Sequence, residues 1–191
     1  MKIVAISVLF GVCALIGGCF APLIEGAREG YDSSKRSSLE AKATSGDAQS
    51  QYELGKTYCC ETGPQIQRSM SVYDNQKATG WLCKSALQNY GPAQYKLALI
   101  YSGDEISGVR VLVRVTSVFG DKESALPVAW VWASKAAENG TDKAADLRDA
   151  IGKKLTVAES AAAKTALPNW RTAPCVWKDV IKPAAPNSPD H

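Results

Sequence analysis

Gln51-Tyr52-Glu53-Leu54-Gly55-Lys56-Thr57-Tyr58 returns 43 positions on as Gln94-Tyr95-Lys96-Leu97-Ala98-Leu99-Ile100-Tyr101. A second series, Ala78-x-x-Trp81-x-x-Lys84-Ser85-Ala86, returns 51 positions on as Ala129-x-x-Trp132-x-x-Lys135-Ala136-Ala137. A third joins them: Ala43-x-x-Gly46, Ala86-x-x-Asn89 and Ala137-x-x-Gly140 stand at the same two offsets. Three series in one register mark internal repeats, and a repeat decides the fold before any single residue does. Each piece has helical spacing. Leu54 and Tyr58 are four apart and share a face, as do Leu97 and Tyr101, and Ala78, Trp81 and Ser85. Small residues at Gly55 and Ala98 allow a second helix to approach closely. Gly46, Asn89 and Gly140 stand where one helix must stop, and both residue types tolerate the left-handed conformation of a helix C-terminus. The expected unit is a helix, a loop, a second helix and a tight turn into the next unit. The fold class is therefore all-α: a short α-solenoid of stacked antiparallel helix pairs.

The pattern A-Q-x-x-L-G-x-x-Y followed by A-x-x-W-x-x-A-A-x-x-G resembles the Sel-one-like repeat family, relatives of the tetratricopeptide repeats. The resemblance covers residues 39–167, and both halves of the motif occur twice in the right order. Departures are visible: Ser50 replaces the family's Ala, and Ala98 its Gly. The offsets exceed the family's repeat length. The insertions fall in Cys60 to Val72 and around the β-branched stretch Val109 to Phe119, whose form as strand, loop or helix turn stays open. Beyond Gly140, Asp142 to Lys154 reads as a last helix of the first type. Thr156-x-x-Glu159 then forms a capping box that opens an Ala-rich helix ending at Pro168.

The chain ahead of the repeats reads as an address. Met1-Lys2 precedes an apolar run from Ile3 to Gly18 interrupted only by Ser7, shorter than the 20 or so residues of a bilayer span. It ends Leu15-Ile16-Gly17-Gly18-Cys19, which resembles the bacterial lipobox. The resemblance implies that residues 1–18 are a lipoprotein signal peptide and that Cys19 carries lipid. A membrane partner through that anchor follows. Phe20, not Asp, follows the cysteine, which by the same resemblance leans toward the outer membrane, facing the periplasm. Residues 19–38, polar after Ile24, are expected to be a flexible tether. Residues 168–191 hold five of the nine prolines and form a C-terminal tail. Trp170, Val176, Trp177 and Val180 are expected to dock its first part, and Lys182 to His191 to be disordered.

Cys59, Cys60, Cys83 and Cys175 remain beyond the anchor region, and an exported chain meets an oxidising compartment. Disulfides are the first reading, with one of the adjacent pair joined to Cys83 and the other to Cys175. Free buried thiols are the alternative. A zinc site is the other, although Cys83 and Cys175 lack close ligand neighbours. The single histidine, His191, is the last residue, so nucleophilic catalysis of the Ser-His or Cys-His kind has no interior imidazole. A formal net charge of +3, or +2 without Lys2, is too small for a dedicated nucleic-acid binder. No cofactor is expected.

The function expected is a non-catalytic envelope lipoprotein whose repeat surface binds another envelope protein or a cell-wall component, or scaffolds an assembly. The contrasting reading is penicillin-binding or β-lactamase-like activity, described for cysteine-rich members of the family. Here no Ser-x-x-Lys stands at a helix start. Gln51, Tyr52, Gln94 and Tyr95 are the candidate partner-binding residues, because the tyrosines lie roughly 200° around the helix from the core leucines. Trp81 and Trp132 are assigned to the core.

Overall fold

The computed structural model describes residues 30–59, 73–104, 125–172 and 175–180. Helix α1 covers 30–44, α2 Ala48–Tyr58, α3 Asn75–Leu87, α4 Gly91–Ser102, α5 Leu126–Glu138, α6 Ala144–Gly152 and α7 Val157–Ala166. A 3-10 turn, Leu167–Thr172, and a short helix α8, Trp177–Val180, follow. Among the described residues there is no strand. Neighbours in sequence pack as antiparallel pairs, α2 with α3 and α4 with α5, and the pairs stack through α3 on α4 and α5 on α6. The protein is a short all-α solenoid.

The repeats recur at atomic detail. Each tight turn closes on a positive φ, 102° at Gly46, 67° at Asn89 and 69° at Gly140. In each, the N–H of that residue donates to the alanine carbonyl three positions back: Ala43, Ala86 and Ala137. The next N–H donates five positions back, to Lys42, Ser85 and Ala136. These bonds use up carbonyls that a helix end leaves unpaired. The left-handed residue reverses the chain within two or three positions, which makes consecutive helices antiparallel. Gly55 faces Leu82, and a Cβ there would stand 2.8 Å from Leu82 Cγ and 3.1 Å from the Ala78 carbonyl, so α2 and α3 touch backbone to side chain.

Leu54, Leu82, Leu97, Tyr101 and Trp132 are sealed in the core, with Ala78, Ala86, Ala98, Ala129 and Ala136 where helices cross. Alanine at the crossings permits close approach, and the larger residues fill the space between. Tyr58 packs on this core half-buried, with Arg36 and Lys77 over its ring at 4.4 and 5.7 Å. One core assignment fails. Trp81 is half-buried with Lys84 Nζ 4.2 Å from its ring.

One boundary also shifts. Residues 30–38 are not a tether but the first part of α1. The stretch is polar because its contacts are polar. Lys35 pairs with Glu53 at 2.7 Å, and Arg36 donates to the Thr57 carbonyl and hydroxyl at 2.5 and 3.2 Å. Asp32, nearly buried, accepts from the Tyr73 hydroxyl at 3.1 Å. Burial raises the Glu53 carboxyl, but the Lys35 and Lys56 ammoniums outweigh it and hold it below its ordinary value. The start of the tail docks as expected. Trp170 is buried edge-on against Trp132 at 5.5 Å, and Trp177 and Val180 pack on the core. Residues 182–191 lie outside the described residues, as do the two insertions. The capping box of α7 is present, Thr156 and Glu159 each bonding the other's backbone.

Candidate interaction surface

Of the four residues expected to form a binding face, the glutamines do not belong to one. Gln51 is 5% exposed and Gln94 is fully buried. Each lies three positions before a core leucine, about 60° from it around the helix, and therefore sits in the seam between units. There each amide reaches back eight positions across the tight turn. Gln51 Nε2 donates to the Ala43 carbonyl at 3.0 Å, and Gln94 Nε2 to the Ala86 carbonyl at 3.1 Å. Each amide oxygen accepts from the residue before the next turn: Gln51 from Gln88 at 2.8 Å, Gln94 from Asn139 at 2.6 Å. Gln88 and Asn139 are themselves 51 positions apart, so the relay repeats with the helices. Ala145 stands eight positions after Ala137 and has no amide, so the third turn lacks the clamp. The Gln88 and Asn139 partners were missed, although the offset that revealed the helices also relates them.

The tyrosines are placed differently. Tyr52 and Tyr95 are half-buried. Tyr52 packs across the seam on Tyr90, with ring centroids 5.5 Å apart, and Lys56 Nζ lies 4.7 Å from the Tyr52 ring. Tyr90 is the residue that precedes α4, so one edge of Tyr52 is spent on joining two units. Tyr52 and Tyr90, each half-buried, form with Lys56 an aromatic strip at the seam of α2 and α4, and Tyr95 repeats the Tyr52 position one unit on.

The cysteines pair otherwise than expected. Cys83 is bonded to Cys175, 92 positions away, with Cα atoms 5.8 Å apart. The chain after α7 turns back along the solenoid, and this return carries Cys175 to α3. The Cys175 carbonyl accepts from the Tyr101 hydroxyl, and the Trp177 N–H donates to Thr79 Oγ1 at 2.8 Å. Trp177 stacks on Tyr101 with centroids 5.9 Å apart. Burial pushes the Tyr101 phenol well above its ordinary value, so it stays a hydrogen-bond donor throughout the accessible pH range. Sequence spacing could not show this strap, because its contacts join residues 74 to 98 positions apart. Cys59 is buried and disulfide-bonded, and Cys60 and Cys19 lie outside the described residues. Among the described residues no three His, Cys, Asp or Glu side chains gather as metal ligands, and no helix is long and apolar enough to cross a membrane.

Fold and surface define a helical-repeat protein whose C-terminal strap is disulfide-bonded to helix α3. No family model matches the chain, and comparison with curated proteins and with solved structures gives no significant match.

Proposed function

We propose that this chain is a non-catalytic envelope lipoprotein of the Sel-one-like kind, anchored through Cys19 and binding a protein partner with the outer strip of its repeats. The observation that carries the reading is the half-buried aromatic pair Tyr52 and Tyr90 beside Lys56, with Tyr95 half-buried at the position equivalent to Tyr52 one unit on. Rigid aromatic side chains give large contact area at small entropic cost and dominate many interfaces. The repeat scaffold supports the same reading, because stacked helix pairs present such residues as an extended surface. The lipobox-like Ile16-Gly17-Gly18-Cys19 supports attachment to a membrane, and stable attachment takes more than one acyl chain.

The test is capture of a partner from detergent-solubilised envelopes by the wild type and by the Tyr52→Ala, Tyr95→Ala double variant. Capture lost with melting temperature lowered by no more than a few degrees supports the strip. A large fall in melting temperature, or capture unchanged, removes it. Cys19→Ala tests the anchor separately: an unprocessed, unacylated precursor is expected, and normal processing overturns that part.

A further inference from the structure

Helices α3 and α5 are the same element twice. Both have 13 residues, stand 51 positions apart, and lead into a positive-φ residue two positions beyond their ends. Trp81 and Lys84 on α3 correspond to Trp132 and Lys135 on α5. On α5 this Trp-x-x-Lys step is occupied. Trp170, from the 3-10 turn after α7, stands edge-on to Trp132, with centroids 5.5 Å apart and planes at 78°. Lys135 Nζ lies 5.4 Å from the Trp170 ring. Both indoles are thereby sealed, at 1% and 4% exposure. The chain thus shows what its own step accepts: an aromatic ring wedged against the Trp, its π face toward the ammonium. An indole edge carries positive charge and its face negative charge, so both contacts are attractive.

On α3 the same step is open. Trp81 is half-buried, Lys84 is exposed, and among the described residues no aromatic ring packs on Trp81. Lys84 instead lies on the Trp81 ring itself, at 4.2 Å. The strap does not serve this step. It runs along the face of α3 marked by Thr79 and Cys83, which are four positions apart. Trp81 is two positions from each and so points about 160° away.

We propose that the Trp81–Lys84 step is a docking site for a peptide segment of a partner protein that inserts an aromatic side chain, as Trp170 does one unit later. The inference rests on the reading of the chain as an interaction module but uses a different face from the Tyr52 strip. Lys84 would swing from the Trp81 ring to the face of the incoming one, so the site exchanges one cation–π contact for another while covering the indole.

The probe is a synthetic peptide with the sequence of residues 167–178 and serine in place of Cys175. It is titrated into the full chain, isotopically labelled and held in detergent, while the Trp81 indole N–H resonance is followed. A saturable shift of that resonance is expected. With affinity read from the fluorescence anisotropy of a tagged peptide, Trp81→Ala should weaken binding by at least tenfold, and Lys84→Glu, which leaves the indole in place, about threefold. The peptide with Trp170→Ala should not bind. Melting curves confirm that each variant is folded. Equal binding by the Trp81→Ala variant, equal binding of the tryptophan-free peptide, or shifts at Trp132 and Trp170 in place of Trp81 each overturn the proposal. The Tyr52→Ala, Tyr95→Ala variant separates the two readings. It should bind the peptide normally while losing envelope capture: peptide binding lost in this variant refutes the Trp81 site, and envelope capture retained by it refutes the strip.

Discussion

Replacing Gln94 with alanine tests whether the repeated glutamine is a clamp or a contact for a partner. The side chain is fully buried and takes part in three hydrogen bonds, to the Ala86 carbonyl at 3.1 Å, to Asn89 Oδ1 at 3.4 Å and from Asn139 Nδ2 at 2.6 Å. The Ala86 carbonyl keeps the Asn89 N–H after the substitution, and Asn139 keeps three hydrogen bonds with Asn89, so no group is stripped of every partner. Three net contributions of about 0.5–1.5 kcal/mol each, the weakest from the 3.4 Å bond, give a loss of about 2–4 kcal/mol. A domain of this size loses roughly 3 °C per kcal/mol, so the melting temperature should fall by about 6–12 °C. Thermal and urea unfolding followed by circular dichroism measure it. Gln51→Ala should cost less, because Gln88, which donates to it, is exposed. The double cycle with Asn139→Ala should show coupling of about 1 kcal/mol, as expected of groups in one network. A Gln94→Ala protein that melts within about 2 °C of wild type, or that loses partner capture at unchanged stability, refutes the clamp.

Trp132→Ala should destabilise by about 3–5 kcal/mol, since it empties a sealed aromatic site and uncovers Trp170. Trp81→Ala should cost under about 2 kcal/mol, and a loss equal to that of Trp132→Ala would show that Trp81 is core. Cys175→Ala should cost about 2–5 kcal/mol through the loop that the Cys83 bond closes, and proteolysis should then cut the 167–180 strap first; unchanged resistance would show that the strap docks without the bond. The lowered Glu53 carboxyl stabilises the fold fully above its ordinary pKa of 4.5 and loses that contribution as pH falls through the lowered value. Hydrogen exchange in α1 should therefore rise in acid ahead of exchange in α4, and Glu53→Gln should remove the difference.

Much of the fold was legible in residue order because a repeat states its register more than once. The turns at Gly46, Asn89 and Gly140 and the cap at Thr156 depend on bonds within a few positions, so local spacing determines them. Polarity misled where a side chain is satisfied by a distant group. Residues 30–38 look like a tether because Lys35 and Arg36 are charged, yet their partners Glu53 and Thr57 make them the face of a helix. Gln51 and Gln94 look like surface residues because their amides are polar, yet the Ala43 and Ala86 carbonyls at the preceding turns accept those amides inside the seam.

The equivalent tryptophans set the limit of sequence reading. Trp81 and Trp132 are identical in motif, spacing and helix position, so the sequence assigns them one environment. Only the return of the chain after α7 separates them. It brings Trp170 onto Trp132 and Cys175 to Cys83, and leaves Trp81 half open. Local geometry is set by neighbours in the chain and can be read from it. Which copy of a repeated surface is covered depends on contacts between residues far apart in the chain, and those exist only once the solenoid has stacked.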